Sequence, residues 1–340
     1  MSGITLRDFI ASFYLPKRSH RHAGFALALA FLVLASLAAC RRLPLDTAGK
    51  ASSPEMAKLR ARLALVPAEA RVVLALDLER LRATPLGKSL VAGPAKEAAL
   101  LFDDFAKGTG LDLLAQVRQA LVAVPGERQD DDRLVLIAET STLDRARAAA
   151  WLRERQDGET AAFVHQESRI VIAKGAWAAE VAALAKPESA GPSAARDGEL
   201  RRLCERIAGE HVFWLAAIVP TALRHRLIAE GRFPDVASIA RLSAALDVDG
   251  GLRAEVTAEL SNEADARSLA RRLSAFLNTA KRHPDMLAQG LSPYLEAVRL
   301  TAQGPNVYAR LELPAVEAAD LLARAGDLVR AGRTKAPALR

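Results

Sequence analysis

Beyond its first 39 residues the chain carries four histidines, His165, His211, His225 and His283. Metal binding and zinc-assisted hydrolysis favour imidazoles at short helical spacings, as in His-Glu-x-x-His, or paired thiols. None of the four pairs with another at i, i+4, and no cysteine pair exists, so the expectation is no metal and no bound cofactor. Asp130-Asp131-Asp132 lacks the spaced acids, central glycine and closing glutamate of a calcium loop and reads as a solvated turn. Gly108-Thr109-Gly110 follows a helical stretch and lacks the third glycine of a dinucleotide fingerprint, so it reads as a helix cap and turn. No Gly-x-Ser-x-Gly elbow occurs, since Gly191-Pro192-Ser193 falls in a linker-like stretch. Asp77, closing an apolar run ahead of a helix, is the sharpest single candidate for chemistry, and N-capping accounts for it. Trp151, Trp177 and Trp214 sit among Ala, Leu and Val and read as core. The pattern predicts no catalytic residue and no enzyme.

The two cysteines differ in setting. Cys204 shares a helical stripe with Leu200, Leu203 and Ile207, which predicts a buried, unreactive thiol. Cys40 ends an uncharged run from Ala23 to Ala39 that follows Lys17, Arg18, His20, Arg21 and His22. Such a run sits at the lower edge of what spans a bilayer, and its basic flank stays cytoplasmic. It reads as an export signal with a long n-region, with an uncleaved anchor as the alternative. Leu37-Ala38-Ala39-Cys40 resembles the bacterial lipobox, a branched apolar residue and two small ones before the cysteine that is lipidated. The resemblance implies signal-peptidase recognition at Leu37, Ala38 and Ala39, acylation of Cys40 with palmitate-like chains, and the lipid bilayer as a partner. Each buried methylene contributes about 0.8 kcal/mol to such an anchor. Arg41 stands where such proteins place Asp for inner-membrane retention, which points to the periplasmic face of the outer membrane.

The whole chain must position these residues. Its 340 residues, 51% hydrophobic and 26% charged, suffice for about two domains and exclude a disulfide scaffold or a disordered chain. The net charge of +7 includes Arg7, Lys17, Arg18 and Arg21 near the start, and the remainder is dispersed, so no nucleic-acid partner is expected.

Hydrophobic periodicity predicts an α+β fold of two similar units, each a mostly antiparallel sheet with helices on one face, after an N-terminal signal helix. The boundaries are a signal peptide at 1–39, a lipidated linker at 40–57, a first unit at 58–186, a linker at 187–197, a second unit at 198–329 and a basic tail at 330–340. Strands are expected at 71–78, 117–124, 133–139, 162–166 and 170–173, then at 211–218, 239–248, 252–260, 294–302 and 307–313. The main helices fall at 54–65, 142–155, 176–185, 221–230, 262–281 and 315–329. Ala138, Glu139, Ser141, Ala146, Arg147 and Ala150 recur 120 residues later as Ala258, Glu259, Ser261, Ala266, Arg267 and Ala270. Ser141 and Ser261 would then N-cap equivalent helices. Strands of the second unit alternate apolar and charged residues, whereas those around Val72–Leu76 and Leu134–Ile137 are apolar on both sides. Either a second layer covers them or they line an apolar pocket.

The run Val66-Pro67-Ala68-Glu69 through Asp77 to Thr84-Pro85-Leu86, with Gly108-Thr109-Gly110-Leu111-Asp112, resembles a family of uncharacterised exported bacterial proteins that open on Leu-Pro-Ala-Asp, an apolar strand and a Thr-Gly-Leu-Asp-Pro turn. Leu113 replaces the usual Pro, and the family offers no catalytic residues to transfer. The functional expectation is a membrane-anchored envelope lipoprotein acting as a non-enzymatic interaction or structural module for an unnamed envelope protein. The alternatives are a periplasmic carrier of lipid or another apolar ligand and, last, a hydrolase with an unrecognised site.

Overall fold

The computed structural model describes residues 54–92, 103–126 and 132–334, apart from 155, 188, 190, 197, 210, 223 and 226–237. Leu37, Ala38, Ala39 and Cys40, the signal run, Asp130 and Asp131, and most of the helix expected at 221–230 lie outside these residues. In chain order the elements are α1 (Pro54–Leu63), β1 (Val72–Asp77), α2 (Leu78–Ala83), α3 (Pro85–Ala92), α4 (Asp103–Thr109), α5 (Leu113–Gln116), β2 (Val117–Val124) and β3 (Leu134–Thr140). There follow α6 (Arg145–Arg153), β4 (Thr160–His165), β5 (Arg169–Lys174), α7 (Trp177–Leu184), α8 (Gly198–Ile207), β6 (Phe213–Ile218), β7 (Ile239–Asp247) and β8 (Gly251–Leu260). The chain closes with α9 (Glu263–Ala280), α10 (Pro284–Ala288), α11 (Ser292–Ala297), β9 (Arg299–Gln303), β10 (Asn306–Pro314) and α12 (Ala315–Thr334).

The fold is α+β, and all ten strands belong to one open antiparallel sheet. From the middle outward the order is β1, β2, β3, β5, β4 on one side and β6, β7, β8, β10, β9 on the other. The halves join where β1 pairs antiparallel with β6, from Val72 opposite Ala217 to Leu76 opposite Phe213. The ladders match in detail. β2 bulges against β3 between Val117 and Gln119, beside Glu139, and β7 bulges against β8 between Ile239 and Arg241, beside Glu259. Ser141 donates from its backbone N and its Oγ to Gln116 O, and Ser261 makes the same pair of bonds to Ser238 O.

Those bonds correct the capping assignment. With their hydroxyls turned back to the preceding strand, the serines leave the helix N-termini to Asp144, which accepts from Arg147 N at 3.0 Å, and Asn262, which accepts from Asp265 N at 2.9 Å. Asp144 stands three residues beyond Ser141 but Asn262 only one beyond Ser261, so the spacing of 120 ends at the strand. The buried alanines that follow the caps are Ala148 and Ala266, while Ala146 and Ala150 are exposed. Asn262→Ala is expected to lower stability by about 1 kcal/mol, read as a shifted urea midpoint with an unchanged slope.

Alternation along each strand defines two sheet faces. On the front, Val73, Leu121, Val135, Val171 and Ala216 lie under α1, α7 and α8 in one core that includes Leu59, Trp177 and Leu203. On the back of the same half, Ile170, Ile172 and Ala138 pack against Leu152 of α6 and Leu111. β3 and β5 are thus covered on both sides, whereas on the back of β1 Leu76 packs toward the core of α11 and α12 and Val72 and Leu74 stay half-buried. On the back of the other half, Leu252, Ala254, Leu311 and Leu313 meet Ala318 of α12 and Tyr294 of α11, and Ala258 and Val307 meet Ala266 and Leu269 of α9.

The halves differ in the helix after the last hairpin. β5 passes to α7 through Gly175, whose φ of +63° suits glycine and whose added Cβ would meet Asp132 Oδ1 at 2.5 Å. α7 therefore returns over the front. β10 runs straight from Pro314 into α12, which lies on the back. Among the described elements α8 reaches the front beyond β6, against β7.

Other departures are local. The strand expected from Tyr294 begins only at Arg299, because Ser292-Pro293 opens a helical turn that buries Tyr294 and Leu295. The expected linker at 187–197 holds buried Ser193 and Ala194, and Ala194 N donates to Val66 O at 2.8 Å. α12 continues to Thr334, into the stretch assigned to the tail.

Candidate functional site

The residues singled out by type do not converge. His225 is exposed, His283 caps α10 by accepting from Asp285 N, and His165 lies on the edge strand β4. Cys204 is fully buried, and burial pushes its thiol far above the usual range, so it stays protonated. Trp177 and Trp214 are core residues, and Trp151 stacks edge-on to Phe105 at 5.2 Å. Gly108 ends inside α4, and Gly110, with φ of +73°, takes the left-handed position after it and donates to Ala106 O. No His, Cys, Asp and Glu cluster able to hold a metal occurs among the described residues. No helix among them is long and apolar enough to cross a membrane.

Asp77 does converge with other groups. Strand register places Asp77, Gln119, Glu139, Arg169 and His165 side by side on β1, β2, β3, β5 and β4, at one end of the front face. Each stands at or within two residues of the end of its strand, so the front core ends in a polar row. Asp77 Oδ1 accepts from Arg80 N at 2.8 Å, which caps α2 as expected, and its Oδ2 accepts from Gln119 Nε2 at 2.8 Å. Gln119 Oε1 in turn accepts from Nη1 of Arg62 at 2.6 Å, a residue of α1. Arg169 Nη2 donates to Glu139 Oε1 at 2.7 Å.

Arg62 and Arg169 are only 7% and 8% exposed, yet Arg62 Nε and Arg169 Nε and Nη1 have no acceptor. Burial lowers the Arg62 pKa, Glu139 works against that, and Arg169 adds to it. His165 is also held below its usual value, by burial first and by Arg169 second. The row and Arg62 above it therefore hold two buried guanidiniums, the carboxylates of Asp77 and Glu139, the latter bonded directly to Arg169, and a neutral imidazole at neutral pH.

Beside the row a cleft of about 30 Å³ opens between α1, β1, β2 and the turn before β6. Its polar wall is Glu55, Arg62, Asp77, Gln119 and His211, and Trp214 forms part of its apolar wall. His211 Nδ1 lies 2.7 Å from Asp247 Oδ2, whose other oxygen accepts from Val212 N at 3.1 Å. An imidazole oriented by a carboxylate suits acid–base chemistry. The described lining residues include no hydroxyl, thiol or amine nucleophile, and both Asp77 oxygens are engaged.

Sequence inspection finds Asp77 but misses Arg62, Gln119, Arg169 and the His211–Asp247 pair. The available signal is one of phase: Asp77, Gln119, Glu139 and Arg169 fall at strand ends in step with the front-facing apolar residues.

No protein-family model matches this chain, and no curated protein matches it. Among solved structures it is similar to TP0453 in crystal form III, at 10% identity and a TM-score of 0.42, over 77% of this chain and 97% of that one. It is also similar to TP0453 in crystal form I, at 9% identity and a TM-score of 0.40, over 79% and 96%. Likeness of this degree assigns neither a family nor a function.

Proposed function

We propose that this protein is an exported lipoprotein, tethered through Cys40, whose body is a non-enzymatic module that presents a polar sheet face to another envelope protein. The observation that carries this reading is the front of β7, β8, β10 and β9, over which α12 does not fold. Arg241, Arg253, Arg299 and Arg310 share that face with Asp247, Glu255, Glu259 and Glu312. The charges balance locally: Arg241 bonds Glu259 and lies 2.6 Å from Glu199, and Arg310 lies 3.9 Å from Glu255. A balanced surface of this kind does not attract a polyanion, which supports a protein partner over nucleic acid. The matching strand orders and bulges of the two halves support an origin by internal duplication, with the second copy freed of its front helix. The apolar run at Leu134–Ile137 is accounted for by two cores, which weakens the motive for a lipid carrier.

Thirteen residues separate Cys40 from Pro54, so the body lies within about 50 Å of the tether at full extension. The test is radiolabelled palmitate with membrane fractionation. Wild-type protein is expected to be labelled and sedimentable, and Cys40→Ser to lose the label and the lipid-dependent membrane attachment. Unlabelled wild-type protein, soluble in the cytosol with its leader intact, would overturn the reading.

A further inference from the structure

We propose that β9, the open edge of the sheet, pairs antiparallel with β9 of a second copy of this chain, about a two-fold axis at Thr301. This goes beyond the module reading and depends neither on the front-face partner nor on the tether. The sheet ends in β4 on one side and in β9 on the other, and the two ends are finished differently. No residue of β4 is exposed; α6 and α7 pack against it, Gln156 Nε2 donates to Ala162 O at 2.6 Å, and Asp157 forms a bridge with Thr160. Four of the five residues of β9 are exposed, and Leu300 alone is half-buried. Apart from Arg299 at its start, β9 lacks the devices that blunt an edge, since it holds no proline or lysine and pairs with β10 without a bulge.

The phase of the ladder identifies the open groups. Leu260 N donates to Pro305 O at 2.8 Å, so Pro305, Val307 and Ala309 turn their main-chain groups toward β8, and Asn306, Tyr308 and Arg310 turn theirs toward β9. Opposite these stand Gln303, Thr301 and Arg299, which therefore bond inward. Leu300 and Ala302 point their N–H and C=O groups outward, where no described strand meets them. With the axis at Thr301, Leu300 of each copy lies opposite Ala302 of the other, and the two residues exchange both bonds. Arg299 falls opposite Gln303, whose amide oxygen can accept from the guanidinium, and Thr301 faces Thr301, so no like charges meet. On the back, Leu300, which shares an apolar cluster with Leu277, gains Ala302 of the other copy as a neighbour. The chain already joins its own halves by an antiparallel seam of five residue pairs, Val72–Leu76 against Phe213–Ala217, and β9 offers a seam of the same length. Because β4 is capped, pairing through β9 closes at two copies and does not run on into a fibre.

Full-length protein carrying Thr301→Cys is oxidised with copper phenanthroline, in a cell lysate and after purification in detergent. It is run on a non-reducing gel beside Gln303→Cys and the wild type, which reports any background from Cys40 or Cys204. In the paired register the two Thr301 positions form a non-hydrogen-bonded pair with Cα atoms about 4.5 Å apart, within disulfide reach. The two Gln303 positions stand about 14 Å apart along the strands, out of reach. A disulfide-linked dimer is expected from Thr301→Cys, with Gln303→Cys at the wild-type background. Adding Ala302→Pro removes an outward N–H that β10 does not use, so the fold, read by circular dichroism, should persist while the dimer is lost. No dimer from Thr301→Cys, a disulfide to another protein in its place, an equal yield from Gln303→Cys, or a dimer that survives Ala302→Pro overturns the proposal. Should the proline variant not fold, the contrast between positions 301 and 303 decides the matter.

Discussion

Glu139→Ala is expected to destabilise the fold by about 3–5 kcal/mol, because it leaves the Arg169 guanidinium buried without its carboxylate. Arg169 and Glu139 side chains are 9% and 19% exposed, so solvent screens the pair weakly. Two of the Arg169 nitrogens already lack acceptors, and losing Glu139 removes the bond at Nη2. Arg62, which draws on the same carboxylate, loses its largest opposing charge as well. Urea denaturation checks the value. The double change Glu139→Met and Arg169→Met should cost less than Glu139→Ala alone, since an apolar pair leaves no buried charge. A single-variant loss under about 1 kcal/mol would show that the row does not depend on this pair.

Trp177→Ala should cost a similar amount, about 3–5 kcal/mol, as a large side chain removed from a close-packed core. Trp177 is 1% exposed, and Arg133 lies over its ring at 5.6 Å. It anchors α7, the helix that closes the front of the first half, so its loss opens that face. Val316→Ala, on α12 at 82% exposure, should change stability by no more than about 0.5 kcal/mol. Equal effects from the two substitutions would mean that α7 contributes nothing particular to the front core.

Most strands were legible because their signals are local. The charged alternation of Leu252 to Leu260 and of Val307 to Leu313 fixes period, face and hairpin together, and β8 pairs with β7 and β10 with β9 as those hairpins require. The apolar runs at Val72–Leu76 and Leu134–Ile137 showed that two covers were needed; two cores supply them at Leu134–Ile137, while at Val72–Leu76 only the front residues Val73 and Ala75 are fully buried. Tyr294 misled, because an apolar aromatic beside Leu295 carries the same local signal in a strand as in a short helix opened by Pro293. The shared serines misled because a hydroxyl next to a helix can bond forward or back, and the strand carbonyls of Gln116 and Ser238 lay within reach. The polar row was hidden for a different reason. Arg62 and Gln119 stand 57 residues apart in the chain, and nothing in either neighbourhood marks them as partners until the sheet register brings β2 under α1.

The pairing of β1 with β6 bears on how the chain is made. β1 has β2 as one neighbour and β6 as the other, yet Phe213 is synthesised 136 residues after Asp77. Until that segment arrives, one side of β1 offers open main-chain donors and acceptors, a template for the corresponding strand of another molecule. Polypeptides interrupted before Phe213 are therefore prone to exchange strands with one another, whereas completion of the sixth strand seals the seam from within.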